Sequence, residues 1–310
     1  MIFSSTVPTN VRNSVDIAEY LAGRFTYHNA VEWAGIIRDG RVFINGARCG
    51  DGDSVTGKDT ISYDPGDFEE PDADLSYTII YEDDWILGVN KPGNLLVHRA
   101  GRSFRNNLAY LLRSDPKRPL PDCHPAHRLD RDTSGVVLVA KNSEQKAVFG
   151  KLFSDGAVTK TYKAIVAGYP DIRLPFVIDG AISEDKDGGL PFKFKVDKDG
   201  KAATTVITGI KRFENGLSML TVRPVTGRTH QIRVHLASIG FPIVGDRLYN
   251  DKSDIANVST PRRQALHCES LSFIHPHTGC LCEIKAELPG DIKSNSNNNK
   301  EGTRPLRGQP

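Results

Sequence analysis

Nine consecutive residues, His127-Arg128-Leu129-Asp130-Arg131-Asp132-Thr133-Ser134-Gly135, set one imidazole, two carboxylates and two guanidiniums ahead of an apolar run, Val136 to Ala140. A calcium loop opens Asp-x-Asp-x-Ser-Gly, and Asp130, Asp132, Ser134 and Gly135 match that opening. Position twelve, however, is Lys141 instead of a bidentate acid, and a strand follows where a helix is needed. A plain turn explains Thr133, Ser134 and Gly135 but leaves the crowding of His127, Arg128 and Arg131 around Asp130 without a reason. A catalytic carboxylate is the third reading, and it depends on the rest of the chain. A second group, His275, His277, Cys280 and Cys282, offers zinc ligands on paper. Cys280-Leu281-Cys282-Glu283-Ile284 alternates as a half-buried strand does, so we read buried thiols and expect no metal.

Helices and strands must position these groups. Ile17, Tyr20, Leu21 and Phe25 recur at helical spacing within 16–25, and Ala30 to Ile37 continues the pattern. Asp39-Gly40 turns into Arg41 to Ile44, a strand closed by the hairpin signal Asn45-Gly46. Residues 64–75, acidic and Pro-rich, read as a linker, and strand signals dominate from Tyr77: 78–81, 86–90, 136–140, 162–167 and 217–222. Two helices intervene. One spans Glu144 to Phe153, with Ser143 as its expected cap and Gly156 as its stop; the other spans His230 to Ile239, with Thr229 as cap and Gly240 as stop. The irregular alternation predicts an α+β fold, a mixed, largely antiparallel sheet flanked by helices. The expected organisation is a flexible N-terminus over 1–10, a helix–helix–hairpin domain over 11–65, a linker over 66–76, a catalytic domain over 77–292 and a disordered tail over 293–310.

Composition narrows the function. With 38% hydrophobic and 25% charged residues the chain reads as soluble, and no apolar run reaches the ~18–20 residues of a membrane helix. Met1 to Pro8 lacks the basic start and apolar stretch of a secretory signal, and five cysteines form no even framework, so a reducing, cytoplasmic address is expected. Net charge is only +2, but residues 99–131 carry eight Lys or Arg against three acids, which suits a polyanion.

The nine-residue block resembles the motif of the RluA-type pseudouridine synthases, whose catalytic Asp falls on Asp130. Lys160-Thr161-Tyr162 resembles the family's Lys-x-Tyr, and Gly227-Arg228-Thr229-His230-Gln231-Ile232-Arg233-Val234-His235-Leu236 its third motif, which places the Arg paired with the catalytic Asp at Arg233. Lesser matches are Val89 to Gly93, Gly200 to Thr204 and Pro242 to Tyr249, so the likeness covers roughly 77–290 in order. Arg38 to Gly46 resembles the signature of the S4-like RNA-binding fold that some members carry in front. That unit is not basic overall: from Val11 to Asp64 there are six Lys or Arg and eight acids.

The resemblance implies an isomerase acting on uridines in structured RNA, large-subunit ribosomal RNA first and transfer RNA next, as a monomer. The reaction exchanges a C1′–N1 bond for a C1′–C5 bond without redox change or group transfer, so no cofactor is expected. It needs one ionised carboxylate, Asp130, oriented by the planar fork of Arg233. Whether that carboxylate attacks C1′, attacks C6 or removes the 2′ proton is left open by the sequence. Tyr162 is implied to stack on the flipped base, and its hydroxyl to take the C5 proton. Arg128 is implied to fill the space the base leaves, while Arg131, Lys160, Arg228, His127 and Lys91 are expected to contact RNA. Two rivals are a non-catalytic RNA-binding or ribosome-associated protein, which has no need of Asp130, Tyr162 and Arg233 together, and a hydrolase, which would need Asp132 as a second inward carboxyl.

Overall fold

Asp16 opens the first helix: its carboxylate accepts from the backbone N–H of Ala18 and Glu19, donors that a first turn otherwise leaves without partners. The structure, a computed structural model, describes residues 2–25, 27–66, 69–186, 192–250 and 263–296. It divides into two units, Met1–Pro71 with Arg99–Arg105, and Asp72–His98 with Asn106–Pro310.

The first unit runs β1 (Phe3–Thr6), β2 (Val15–Asp16), α1 (Ile17–Arg24), α2 (Ala30–Arg38), β3 (Val42–Ile44), β4 (Ala47–Arg48), β5 (Ser54–Val55) and β6 (Thr60–Tyr63). Asn29 and Glu32 form a reciprocal capping box on α2, and Asn45 and Gly46, both at positive φ, make the two-residue turn between β3 and β4. Its core is built on Ile17, Leu21, Trp33, Ile37, Val42, Val55 and Ile61. The expectation of a flexible stretch over 1–10 is corrected. Strand β1 pairs antiparallel with β6, Val7 is buried, and the Phe3 ring stacks on Phe104 at 4.5 Å. Phe-Ser-Ser-Thr is too short and too polar to read as a strand alone; a partner distant in sequence holds it there.

In the second unit β7 (Thr78–Glu82), β8 (Ile86–Lys91), α3 (Leu108–Ser114), β9 (His124–Pro125), β10 (Ser134–Ala140), α4 (Ser143–Ser154) and β11 (Thr159–Ala167) come first. There follow β12 (Phe176–Asp179), β13 (Ile182–Glu184), β14 (Phe194–Val196), β15 (Thr204–Arg212), β16 (Leu217–Pro224), α5 (Gln231–Ser238), β17 (Leu266–Ile274), β18 (Leu281–Lys285) and α6 (Gly290–Ser296). A ten-stranded sheet runs β12-β15-β16-β11-β17-β10-β8-β7, with β18 on β17 and β9 on β10. Among its described pairings only β10 with β17 is parallel, and that pairing is confined to Ser134 and Gly135. The mixed, largely antiparallel α+β sheet is as expected.

At that junction a side chain is impossible. Gly135 has φ +114°, and a Cβ there would sit 2.1 Å from the carbonyl oxygen of Cys268. The two strands therefore approach as backbones just after the Asp130 loop. Residues 64–77 contain no helix or strand among those described.

Local expectations are adjusted at four points. Asn142, not Ser143, caps α4. Thr229 does not cap α5, whose N-cap is His230 in a left-handed conformation. Cys282 is buried on β18 while Cys280 is exposed ahead of it, so only one of the two thiols faces inward. Helix α6 extends to Ser296, past the expected start of the tail, and residues 297–310 lie outside the described residues.

Candidate active site

The loop carrying Asp130 is held through its backbone. Thr133 N–H bonds back to the Asp130 carbonyl at 3.1 Å, closing a tight turn. The Arg131 carbonyl accepts from Leu95 N–H and from the Lys91 ammonium, and the Asp132 carbonyl accepts from Arg263 at 2.8 Å. Gln264 donates to the Thr133 hydroxyl at 2.7 Å, and Ser134 Oγ meets His267 Nδ1 at 2.9 Å. With the Arg131 and Asp132 carbonyls and the Thr133 and Ser134 hydroxyls tied to the surrounding frame, the Asp130 side chain is aimed by geometry rather than by chance.

Helix α5 supplies the partner. Its residues Gln231 to Leu236 are all buried, so three polar side chains must find bonds inside the protein. Gln231 accepts from Thr226 Oγ1 and Arg228 N–H and donates to Thr204 and Thr205, which pins the preceding loop to β15. His235 is a packed core histidine, bonded to Thr205 Oγ1 and the Gly180 carbonyl. Arg233 lies between two carboxylates. Nε and Nη2 donate to Asp246 at 2.7 and 2.9 Å, and Nη1 donates to Asp130 at 3.0 Å. Burial opposes the guanidinium's charge, but Asp246 and then Asp130 outweigh it and raise its pKa. Asp246 is itself fixed by the N–H groups of Leu248 and Tyr249.

A cavity of about 620 Å³ opens beside this cluster, within the range of small-ligand pockets. Asp130, His230 and Arg233 line one side, Tyr162 and Lys160 of β11 another, and Arg128 and Arg228 its exposed rim. Tyr162 is only 8% exposed; burial, then the Cys268 thiol, pushes its phenol well above the ordinary range, so the hydroxyl stays protonated and the expectation that it takes the C5 proton is corrected. Lys160 donates to the Thr226 carbonyl at 3.3 Å, and burial lowers its pKa. The residues from three distant segments, 130, 162 and 233, thus face one cavity.

Three expected RNA contacts are corrected. Lys91 is fully buried and its ammonium bonds the carbonyls of Pro92, Leu95 and Arg131, so it braces the loop instead of meeting phosphate. Arg131 turns away from the cavity, donating to Asn94 Oδ1 and the Asp72 carbonyl. His127 lines the cavity but is no cation: burial drives its pKa down to about 3, its Nε2 accepts from Leu138 N–H, and its ring stacks on Phe153 at 4.4 Å. Asp132, the second carboxyl a hydrolase would use, is absent from the lining.

Sequence reasoning missed Asp246, Tyr249 and His230 as members of the cluster. Asp246 and Tyr249 sit inside Pro242 to Tyr249, which matched the family without suggesting a role, and nothing in their spacing ties them to residue 233. Among the described residues no group of three or more His, Cys, Asp or Glu is arranged for a metal ion. No helix there is long and apolar enough to cross a membrane.

Known proteins resemble the chain along most of its length. The family model described as RNA pseudouridylate synthase matches residues 86–238, which include every cavity-lining segment except Leu266. A Zymomonas mobilis protein named ribosomal large subunit pseudouridine synthase D is 34% identical over 230 residues, covering 71% of this chain and 72% of its own. Its Pseudomonas aeruginosa namesake is 33% identical over 282 residues, covering 86% and 87%. Among solved structures, human RNA Pseudouridylate Synthase Domain Containing 1 superposes with a TM-score of 0.57 at 26% identity, covering 71% of this chain and 86% of that one. Identity at this level over two thirds or more of both chains places this protein in the pseudouridine synthase family, as an RNA-modifying isomerase.

Proposed function

We propose that Asp130 is the catalytic carboxylate, that Arg233 orients it, and that Tyr162 receives the flipped uracil. The contact that carries this reading is the 3.0 Å bond from Arg233 Nη1 to Asp130 Oδ2 at a cavity walled by Tyr162. Extruding a base costs a few kcal/mol, and stacking on an aromatic ring returns about 1–3 kcal/mol. Arg128, exposed at the rim, fills the vacated stack, while Arg228 and Lys160 meet the backbone phosphates. The substrate is large-subunit ribosomal RNA in the cytoplasm, a reading supported by the names of the relatives. The enzyme acts as a monomer. The first unit binds RNA as an S4-like domain, supported by its helix–helix–hairpin order and by Arg24, Arg38 and Arg48.

One experiment tests catalyst and substrate together: the gene is deleted, complemented with wild type or Asp130→Asn, and pseudouridines are mapped across total RNA. Wild type should restore sites in large-subunit ribosomal RNA that Asp130→Asn does not. Restoration by Asp130→Asn overturns the assignment of the carboxylate; lost sites confined to transfer RNA overturn the substrate.

A further inference from the structure

His230 is held tightly in the cavity wall, and the reading above gives it no task. It occupies the left-handed region at φ 55° although it is not glycine, a strain of about 1–3 kcal/mol that persists only where surroundings impose it. Its ring is clamped edge-on by Phe194 at 5.6 Å and by Tyr249 at 5.7 Å. Its Nδ1 lies 2.9 Å from the Tyr249 hydroxyl, and its Nε2 stands on the cavity side, 3.8 Å from Asp130 Oδ2.

Hydrogen-bond accounting decides which nitrogen carries the proton. The Tyr249 oxygen already accepts from Phe194 N–H at 2.9 Å, and burial pushes its pKa up to about 12, so the phenol keeps its hydrogen. Among the described residues His230 Nδ1 is the acceptor within its reach. The imidazole itself is neutral, its pKa lowered by burial and by Arg233 against the pull of Asp130. A neutral ring that accepts at Nδ1 must carry its proton at Nε2, facing the cavity beside the carboxylate.

We propose that His230 is a further catalytic residue, whose Nε2–H donates a hydrogen bond to a uracil carbonyl oxygen as negative charge collects there. This rests on the reading of Asp130 given above. When the C1′–N1 bond breaks, its electron pair leaves with the uracil and spreads from N1 onto the neighbouring carbonyl. That oxygen is attached to the atom next to N1, and so lies near the ribose carbon that the carboxylate approaches. Should the carboxylate instead add to C6, the electron pair moves onto the other carbonyl, and the demand for a donor is the same. The proton stays on Nε2 throughout, so nothing is transferred and nothing need be returned. A fixed donor aimed at developing charge is worth about 10²–10³-fold in rate where it has been removed elsewhere.

Single-turnover pseudouridine formation on ribosomal RNA is measured for wild type, His230→Ala, His230→Gln and Asp130→Asn, with RNA affinity measured alongside. His230→Ala should lower the rate about 10²-fold at unchanged affinity. Restoring an N–H donor in His230→Gln should recover part of that loss. Nitrogen-15 spectra of the histidine-labelled wild-type chain should show a neutral ring protonated at Nε2, and in Tyr249→Phe this preference should weaken. A His230→Ala rate within threefold of wild type, or a ring protonated at Nδ1, overturns the proposal. If His230→Ala instead abolishes RNA binding, the residue is a binding contact, and the proposal fails in that way too. Activity in Asp130→Asn would defeat the underlying reading, an outcome separate from the histidine result.

Discussion

Replacing Asp246 with Asn isolates the anchor of the Arg233 guanidinium while conserving shape. The Asp246 side chain is fully buried; Oδ1 accepts from Arg233 Nη2, Leu248 N–H and Tyr249 N–H, and Oδ2 accepts from Arg233 Nε at 2.7 Å. An Asn amide can keep the three bonds at Oδ1 but must then turn its NH2 against Nε–H, donor facing donor. The loss is one charge-assisted bond, worth about 1.5–3 kcal/mol, and one buried donor left unsatisfied, about 1–3 kcal/mol. About 3 kcal/mol is therefore expected, at the lower end of the values for breaking a buried ion pair. For a unit of this size that lowers Tm by roughly 6–12 °C. Freed from its anchor, the Arg233 fork can rotate toward Asp130 and shift the carboxylate, and a displacement of ~1 Å costs about 10²-fold in rate. The assay pairs thermal unfolding followed by circular dichroism with single-turnover product formation, and Arg233→Met completes a double-mutant cycle. If the cycle gives a stability coupling below about 0.5 kcal/mol, the two residues act independently and the anchoring argument is refuted.

Two further outcomes are expected. His267 is buried between Ser134 Oγ and the Ala286 carbonyl, and burial lowers its pKa from 6.5 to about 4, so between those values the unfolded chain binds a proton that the folded chain does not. Stability should thus be full above about pH 6.5 and fall by about 3 kcal/mol as pH drops toward 4, and urea unfolding of His267→Gln should follow a flatter curve; equal slopes in both proteins would refute this. For the first unit, Arg24→Gln, Arg38→Gln and Arg48→Gln combined should weaken RNA binding and lower the slope of log affinity against log salt by about one for each phosphate no longer neutralised. An unchanged slope would remove these arginines from the RNA interface.

Legibility followed the range of the interactions. Helices α1 and α2 were readable because Ile17, Tyr20, Leu21 and Phe25, and then Ala30 to Ile37, bring apolar side chains round at helical spacing, and the β3–β4 turn because Asn45 and Gly46 tolerate positive φ. Such choices are made locally, so adjacent residues carry the information. Strand β1 was not readable, because its place depends on Tyr63 and Phe104, nor was the buried fate of Lys91, whose three carbonyl partners come from two segments. A lysine is mostly exposed unless it is paired, and its charge alone suggested phosphate.

What the residue order determined by itself was the chemistry on offer: a carboxylate at 130 amid cations, a phenol at 162 and a guanidinium at 233, in an order and spacing that resembled one family. The resemblance already paired Arg233 with Asp130; tertiary structure alone decided how those groups are held and what else joins them. The Arg233 fork is divided between Asp130 and Asp246, and His230 is strained into the wall by Tyr249 and Phe194. Direction and distance between side chains come from packing across the β10–β17 junction and around α5, where residues more than a hundred positions apart meet at 3.0 Å, and no local pattern encodes such a meeting.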